Sequence, residues 1–376
     1  MNQTIILLRI EFLYSPVVNY AIQQNKVPLA RKLSIENSSE IDIQNVQIQI
    51  ECEPEFASFW AHRIDIIPSK QSVIINPKDF KLSAHYLSEL TEKISGEIKL
   101  TVKSNEELIF QDCYTIDILA YDQWNGIGVL PEIMAAFVTP NHPEISKIIR
   151  SASEVLNRWT GSPSFDAYQS MSPDRVKKQM AAIYEAIKGL DIVYCSPPAS
   201  FENEGQRIRT CDTIFFQKLG TCVDMAFLYA SCLEAVGLNP LVIVIKGHAF
   251  VGSWLIDQTF ADSVNDDVSL LKKRVADGIN EIGLVEATCM NSGQAFSFDD
   301  AMNHANHKLV NEDDFILFVD IKRARFSGIR PLPQRIKTAD GWEIVEAPLK
   351  VSDFEVPDVI VSEKLDISEQ SSFSKQ

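Results

Sequence analysis

The sequence predicts an α+β fold, with a strand-rich part at the N-terminus and a mixed part of helices and strands after it. Between residues 27 and 121, short runs such as 46–50 and 98–102 alternate apolar and polar residues, with roughly ten residues from one run to the next. Beyond residue 125, apolar residues recur instead at intervals of three and four. The first pattern is typical of a β-sandwich of immunoglobulin-like type, and the second of helices packed on a sheet.

The chain of 376 residues is long enough for two or three domains. We expect a β-sandwich domain over residues 1–124, a mixed core over 125–335 and an acidic, largely disordered tail over 336–376. The change of periodicity sets the first boundary. Residues 351–376 carry six acidic and two basic side chains and little periodicity, which favours a solvated tail.

Composition excludes several classes of protein. The chain has 51 acidic and 35 basic side chains, a net charge of -16 that repels nucleic acid and anionic lipid at long range. The apolar run at residues 5–8 is too short for an export signal or a membrane span, so we expect a cytoplasmic protein with no membrane partner. The seven cysteines include no CxxC pair, which argues against a disulfide framework and a zinc site.

Two helices are predicted before the residues that carry chemistry. Pro143 and Pro173 each stand at a predicted helix start, where a proline loses no intrahelical hydrogen bond. Apolar residues follow each proline at helical spacing.

A cysteine stands at the start of a predicted buried helix. Gly220 and Thr221 precede Cys222, and the apolar residues that follow recur at three and four positions until Gly237 ends the helix. The helix dipole and the unpaired N–H groups of a first turn stabilise an anion. We therefore expect a lowered pKa and a reactive thiolate at Cys222, with the same N–H groups able to hold an oxyanion.

A histidine opens the second of two strands predicted after this helix. Residues 241–245 are a β-branched run, and His248 begins the next strand. An imidazole beside a thiol accepts its proton and needs a third group that fixes its tautomer. Glu286 follows a strand-like run at 282–285 that can pair with the histidine strand, whereas Asp257, nine residues after His248, falls on the opposite strand face. We prefer Glu286 and keep Asp257 as the alternative.

Two glutamines upstream of the cysteine are candidates for a donor to an oxyanion. Gln217 lies on the helix or turn just before Cys222, whereas Gln206 lies in a loop that can line a cleft. A side-chain amide in either place can donate to developing negative charge. Gln206 is the preferred candidate.

Three segments together resemble the transglutaminase-like superfamily, which has a papain-like cysteine protease fold. The segments are Gly-Thr-Cys-Val-Asp at 220–224, His-Ala-Phe at 248–250 and Val-Glu-Ala-Thr at 285–288. The resemblance implies a transglutaminase-like core in which Cys222 is the nucleophile and His248 the general base. It also implies that Glu286 occupies the place usually held by an aspartate in the catalytic triad.

A narrower similarity covers residues 20–335. The segments at 135–143, 197–202, 247–252 and 329–333 resemble the transglutaminase-like region attached to large bacterial helicase-type proteins. This similarity implies a bacterial protein. Because this sequence contains no Walker-type Gly-Lys-Ser/Thr motif, a helicase-type partner would have to act in trans.

Three further features have ordinary structural explanations beside functional ones. The insertion at 258–280 predicts a helix beside the cleft that gates entry. His304 and His307 are spaced for a metal but have no further ligand cluster, so we expect no metal and no cofactor. Six basic residues without an intervening acid form either a solvated face or a docking surface: Lys322, Arg323, Arg325, Arg330, Arg335 and Lys337.

Two classes of function remain open from the sequence. The first is a cysteine-dependent hydrolase, a peptidase or amidase that forms a thioester on Cys222 with a protein or peptide substrate. An amine in place of water would make the same site a protein-crosslinking transglutaminase. The second class is a non-catalytic module in which the cleft binds a peptide or a partner protein.

Overall fold

The N-terminal part of the computed structural model, which describes residues 7–339 and 341–345, is built on two sheets. One sheet has the strand order β1-β3-β6 and the other β2-β8-β7-β4-β5. Alternate residues of β4 and β7 are buried, as the period-two pattern predicts. The elements are β1 (Leu8–Tyr14), β2 (Val17–Val18), α1 (Tyr20–Gln24), β3 (Ala30–Asn37), β4 (Ile43–Glu53), β5 (Trp60–Ile67), β6 (Ser72–Ile75), α2 (Ala84–Glu89), β7 (Ile94–Ser104) and β8 (Glu107–Ile118).

Helices occupy much of the chain beyond this part, together with 3₁₀ turns at Pro131–Phe137, Ala287–Met290 and Glu312–Asp314. The helices are α3 (Pro143–Thr160), α4 (Pro173–Lys188), α5 (Phe201–Glu204), α6 (Cys211–Gln217), α7 (Cys222–Ala235), α8 (Ser269–Val275), α9 (Phe298–Lys308) and α10 (Ile321–Phe326). The two predicted proline starts are confirmed, because α3 and α4 begin at those residues. No helix among the described residues is both long enough and apolar enough to cross a bilayer.

A five-stranded antiparallel sheet forms the centre of this second part, in the order β15-β17-β13-β14-β16. The strands are β9 (Gln123–Trp124), β10 (Val193–Tyr194), β11 (Gln206–Arg207), β12 (Leu219–Gly220), β13 (Pro240–Ile245), β14 (His248–Trp254), β15 (Val264–Asn265), β16 (Ile282–Val285), β17 (Phe315–Asp320), β18 (Arg335–Thr338) and β19 (Gly341–Ile344). With helices packed on this sheet and sheets before it, the chain is α+β, as predicted.

The two faces of the central sheet pack against different helices. Val242 and Val244 of β13 belong to the hydrophobic cluster that contains α7, whereas Leu241 and Ile243 belong to a second cluster with Leu271 of α8. Neighbouring residues of a strand point to opposite faces, so α7 and α8 lie on opposite sides of the sheet. The expectation that the insertion helix gates the cleft is therefore wrong, because α8 covers the face opposite to the helix that begins at Cys222.

The predicted domain limits stay a prediction, but two contacts bear on them. The short strand β9, which ends at the first limit, pairs with β11 of the second part. Strands β18 and β19 form a hairpin where the sequence predicts the start of the acidic tail. The remainder of that predicted tail, residues 346–376, lies outside the described residues.

Gly205 lets the chain that precedes the candidate site pack tightly on β9. Its φ is +77°, and a Cβ atom there would lie 2.0 Å from the carbonyl oxygen of Trp124. Gly205→Ala is therefore expected to lower the free energy of unfolding by about 3 kcal/mol or more, measured by denaturant titration. Gly161→Ala is the matched control, because φ is +74° there with open space around it, and should cost about 1 kcal/mol. Equal losses in the two variants would contradict the close contact.

Candidate active site

Cys222 is the first residue of α7, and a capping box fixes its position. The hydroxyl of Thr221 accepts from the N–H of Asp224 at 3.2 Å, and the carboxylate of Asp224 accepts from the N–H of Thr221 at 2.9 Å. The N–H of Val223 donates to the sulfur of Cys222. The thiol therefore lies among N–H groups that have no carbonyl partner within the helix, as the sequence predicts.

Neighbouring polar groups stabilise this capping box through hydrogen bonds. Asp224 is fully buried, and its carboxylate accepts from the backbone N–H of Arg209 at 2.9 Å and from Nη1 of the same residue at 3.0 Å. Gln206 donates from Nε2 to the hydroxyl of Thr221 at 2.9 Å. Gln206 thus supports the N-cap of α7, and its role as an oxyanion donor stays a prediction.

His248 and Glu286 form a direct pair at the edge of the central sheet. The imidazole Nε2 lies 2.7 Å from Oε2 of Glu286, and both side chains are largely buried. The pairing of β14 with β16 places Val285 opposite Val251, so the residue after β16 comes next to the start of the histidine strand. The structure therefore brings Glu286 to the imidazole, and its role as the third residue of a catalytic triad stays a prediction.

The other oxygen of Glu286 is held in place by the chain that follows it. Thr288 donates to Oε1 from its N–H at 3.1 Å and from its hydroxyl at 2.7 Å. Nζ of Lys308 lies 3.7 Å from Oε2 of Glu286. Burial raises the pKa of Glu286, but hydrogen bonds and charge from His248, Thr288 and Lys308 outweigh it and lower the pKa below 4.5. Glu286 is an anion at neutral pH and fixes the orientation of the imidazole.

The sulfur of Cys222 lies beside the backbone of the histidine strand. The N–H of Ala249, the residue after His248, donates to it. Glu286 is close enough to raise the pKa of the thiol through its charge. Since Glu286 holds Nε2 of the imidazole, Nδ1 is the nitrogen left to exchange a proton with a thiol.

The expectation of a lowered pKa at Cys222 is wrong. Burial raises the pKa of this thiol to about 11, and the hydrogen bonds from Ala249 and Val223 only partly oppose that effect. Desolvation disfavours the thiolate more than the helix N-terminus favours it. The side chain has no exposed surface, so the thiol is neutral and covered in this conformation.

Tyr194 helps to cover the thiol of Cys222, and the sequence analysis did not predict this contact. Strand β10 runs parallel to β12, with Tyr194 opposite Gly220, and a side-chain hydrogen bond joins the tyrosine to the thiol of Cys222. Tyr194 is itself part exposed, and burial raises its pKa to about 12. Only the pairing of two-residue strands brings Tyr194 here, and so short a pairing gives no sequence pattern.

Glu202 and Arg209 are two further neighbours that sequence reasoning missed. Glu202 is buried and accepts from the N–H of Gly247, the residue before His248, at 3.4 Å. Nη1 of Arg209 pairs with the buried carboxylate of Asp224, in the first turn of α7, at 3.0 Å. Neither residue belongs to a recognisable motif.

Asp257, the alternative third residue, does not lie beside His248. Strand β14 ends at Trp254, so Asp257 follows the end of the strand opposite to the histidine. Its carboxylate accepts from Lys322 at 2.7 Å and from Asn239 at 3.2 Å. The assumption of a continuous strand to residue 257 is wrong, and the side chain is used in an exposed ion pair.

Within the described residues, Gln217, His304 and His307 make no hydrogen bond to the thiol of Cys222. Gln217 accepts from Nε of Arg209 at 3.2 Å. Ser297 and Asp300 form a capping box at the start of α9, and His304 on that helix packs on the ring of Phe296. His307 lies in the last turn of the same helix.

Half of the basic cluster is engaged within the molecule. Lys322 pairs with Asp257, and Arg325 makes two hydrogen bonds to the carboxylate of Glu234 at 2.8 and 2.9 Å. The guanidinium of Arg335 lies over the rings of Tyr121 and Trp342. These three residues have structural uses, which weakens the case for a docking surface made of all six.

The burial of Cys222 leads to a prediction about thiol labelling. At about pH 7.5, iodoacetamide should alkylate Cys222 roughly a hundredfold or more slowly than the exposed Cys113, because the thiolate is scarce and covered. Tyr194→Ala should speed labelling of Cys222 by about tenfold, whereas Tyr194→Phe, which keeps the ring, should change it less. Peptide mass spectrometry after timed labelling gives both rates. Labelling of Cys222 as fast as that of Cys113 would contradict the buried, neutral thiol.

The chain matches no protein-family model and no curated protein. Among solved structures it is similar to the CARDB domain of a Pyrococcus furiosus protein in complex with di-metal ions, with 12% identity, a TM-score of 0.21 and coverage of 32% of this chain and 99% of that one. It is also similar to a mutant beta-glucosidase from Listeria innocua in complex with laminaribiose, with 12% identity, a TM-score of 0.18 and coverage of 31% and 16%. A family 76 glycoside hydrolase from a bovine Bacteroides thetaiotaomicron strain matches with 9% identity, a TM-score of 0.16 and coverage of 61% and 49%. The chain thus spans half or less of the two hydrolases, and TM-scores this low carry no argument.

Proposed function

We propose that the protein is a cysteine-dependent acyl-transfer enzyme, a peptidase or amidase that acts on a protein or peptide. The observation that carries the proposal is the 2.7 Å pair of His248 and Glu286 next to a thiol at the N-terminus of α7. A thiol at a helix N-terminus, an imidazole and an anion that orients the imidazole are the groups that thioester chemistry requires.

In the proposed reaction, His248 removes the proton of the Cys222 thiol through Nδ1, and the sulfur attacks the substrate carbonyl carbon. The C–S bond forms as the carbonyl oxygen becomes an oxyanion, which the N–H groups at the start of α7 can stabilise. His248 then protonates the leaving amine as the C–N bond breaks. Water deprotonated by the same imidazole hydrolyses the thioester and releases the acid and free enzyme.

The buried thiol adds a condition to this mechanism. A substrate carbonyl reaches the sulfur only if Tyr194 gives up its hydrogen bond to Cys222. Transfer of the proton to His248 forms an ion pair of thiolate and imidazolium, which Glu286 stabilises from the other side of the ring. In this proposal, substrate binding opens the site and lets the thiol ionise although its pKa is about 11 in the closed state.

The same site supports a proposal about the fold. An antiparallel sheet with a helix on one face, the cysteine at the start of that helix and His248 and Glu286 at adjacent strands suits a transglutaminase-like, papain-like core. We propose that this core follows an immunoglobulin-like N-terminal β-sandwich. Glutamate in place of the usual aspartate and Ala287 in place of proline are departures from the family pattern.

An amine that attacked the thioester in place of water would crosslink proteins. The two outcomes are separated by incubating the protein with a glutamine-containing protein and a fluorescent primary amine. Release of ammonia or new peptide ends without incorporated amine supports hydrolysis. Incorporation of the amine without cleavage supports a transglutaminase. If neither product forms, the acyl-transfer proposal fails.

The second candidate is a non-catalytic module that binds a peptide or a partner, such as a helicase-type protein in trans. The full burial of Cys222 and its raised pKa favour this candidate, because a binding module needs no accessible thiolate. If capture of a partner from cell extract is unchanged by Cys222→Ala and the protein shows no turnover, the module is supported over the enzyme.

A further inference from the structure

A cavity of about 130 Å³ lies against α7 and is separate from the thiol site. Asp224, Phe227, Leu228 and Ser231 of α7 line it, and their spacing of three and four residues puts them on one face of the helix. Cys222, Tyr194, His248 and Glu286 are not part of its wall. The volume is close to the ~150 Å³ at which an apolar protein cavity takes up benzene.

Two polar atoms in the wall of this cavity are buried without a hydrogen-bond partner within the described chain, Oδ1 of Asp122 and Nε2 of His142. Oδ1 of Asp122 has an ion-pair partner, Nε of Arg207 at 3.3 Å. His142 lines the cavity, its side chain is 7% exposed, and its Nε2 is buried without a hydrogen bond. The carboxylate of Asp212, another wall residue, stays 3.6 Å from Nε2, beyond hydrogen-bond distance. A buried polar group without a partner is costly, which points to a missing partner in the cavity.

The protonation of His142 fixes the kind of partner it needs. Its Nδ1 accepts from the N–H of Glu144 at 3.2 Å, and burial lowers the pKa of the imidazole. The ring is therefore neutral and carries its proton on Nε2. The missing partner must be a hydrogen-bond acceptor.

The charges in the wall disfavour an anion as that partner. Of the three carboxylates in the wall, Asp122 is paired with Arg207 and Asp224 with Arg209. The third, Asp212, has its carboxylate 3.6 Å from Nε2 of His142 and no cationic side chain paired with it among the described residues. An uncharged acceptor at Nε2 avoids repulsion by that carboxylate. Phe137, Phe227 and Leu228 supply the apolar part of the cavity wall.

We propose that this cavity is a binding site for a small neutral aromatic carbonyl compound, an amide or ketone. Its carbonyl oxygen accepts from Nε2–H of His142, and its ring packs against Phe137, Phe227 and Leu228. Asp212 is exposed, so the cavity opens to solvent beside the imidazole. The site does not depend on acyl transfer at Cys222, and either proposal can fail alone.

Binding of three matched probes to the full chain tests this assignment by NMR titration. Benzamide supplies the neutral acceptor, toluene keeps the ring without it, and benzoate replaces it with an anion. Benzamide is expected to bind about fivefold to tenfold more tightly than toluene, the worth of one hydrogen bond, and more tightly than benzoate. If benzamide does not bind, or binds no better than toluene or benzoate, the proposal is overturned.

His142→Asn locates the probe in the cavity. His142 is the N-cap of α3, and asparagine is a good N-cap residue that is too short to replace Nε2 in the cavity. The variant should weaken benzamide about fivefold to tenfold and leave toluene unchanged. An unchanged affinity for benzamide would place it elsewhere and overturn the assignment. If the variant does not fold, the comparison of the three probes on the unaltered chain decides alone.

Discussion

Cys222→Ser is expected to lower the rate of acyl transfer at least about a thousandfold, without unfolding the protein. Serine keeps the size of the side chain and can still accept from the N–H groups of Ala249 and Val223. A hydroxyl ionises far less readily than a thiol, and this site already disfavours an anion through burial. Product formation with the glutamine-containing protein, measured at saturating substrate, gives the rate.

Cys113→Ser is the matched control for this prediction, because it makes the same change of atom at an exposed cysteine of strand β8. Its rate should equal that of the unaltered protein, and both variants should keep their melting temperature within a few degrees. If Cys222→Ser retains full activity, the thioester mechanism is wrong. Loss of activity together with unfolding would instead assign Cys222 to the packing of α7.

The arrangement of the candidate site could be predicted from the sequence where neighbouring residues along the chain decide it. Thr221 and Asp224 stand three residues apart before an apolar run, which sets the start of α7 and places Cys222 in its first turn. The β-branched run before His248 identifies a strand pair. Glu286 could be proposed because the pairing of its strand with the histidine strand allows the contact, whereas the parity argument against Asp257 assumed a strand that in fact ends at Trp254.

The ionisation state of Cys222 could not be predicted in this way. The helix N-terminus is visible in the sequence, but the burial that outweighs it depends on distant segments. Tyr194 reaches the thiol through a two-residue strand, and the N–H of Ala249 comes from the central sheet. A desolvation cost is a property of the whole packed site, so local patterns give the wrong sign.

The predicted position of the insertion helix beside the cleft was wrong for a related reason. Leu270 and Leu271 identify α8 as amphipathic, but an amphipathic helix fits either face of a sheet. Leu271 in fact packs with Ile243 and Leu284 on the face away from α7. Which face a connection takes depends on the path of the chain through β15 and β16, and that path has no local pattern.

Glu286→Gln is expected to lower the rate of acyl transfer about a hundredfold to ten-thousandfold while leaving the fold intact. Glutamine has nearly the shape of glutamate and can stay near His248, but it carries no charge to stabilise an imidazolium. Its amide can also present N–H to Nε2, which would force the imidazole proton to Nδ1 and block acceptance of the thiol proton. The measurement is kcat with the same substrate as for the cysteine variant.

The pH dependence of stability separates this effect from a structural one. The folded pKa of Glu286 lies below its ordinary value of 4.5, so its contribution to stability is present above about pH 4.5 and is lost as the pH falls through the folded pKa. Glu286→Gln should remove that part of the acid-induced loss of stability, seen in denaturant midpoints between about pH 6 and pH 3. Glu286→Asp, which keeps the charge but shortens the side chain, should retain more activity than Glu286→Gln. Equal activity in the unaltered protein, Glu286→Gln and Glu286→Asp would show that the pair with His248 serves only the packing of the sheet edge. The proposed role of Glu286 as the anion that orients the imidazole would then be wrong.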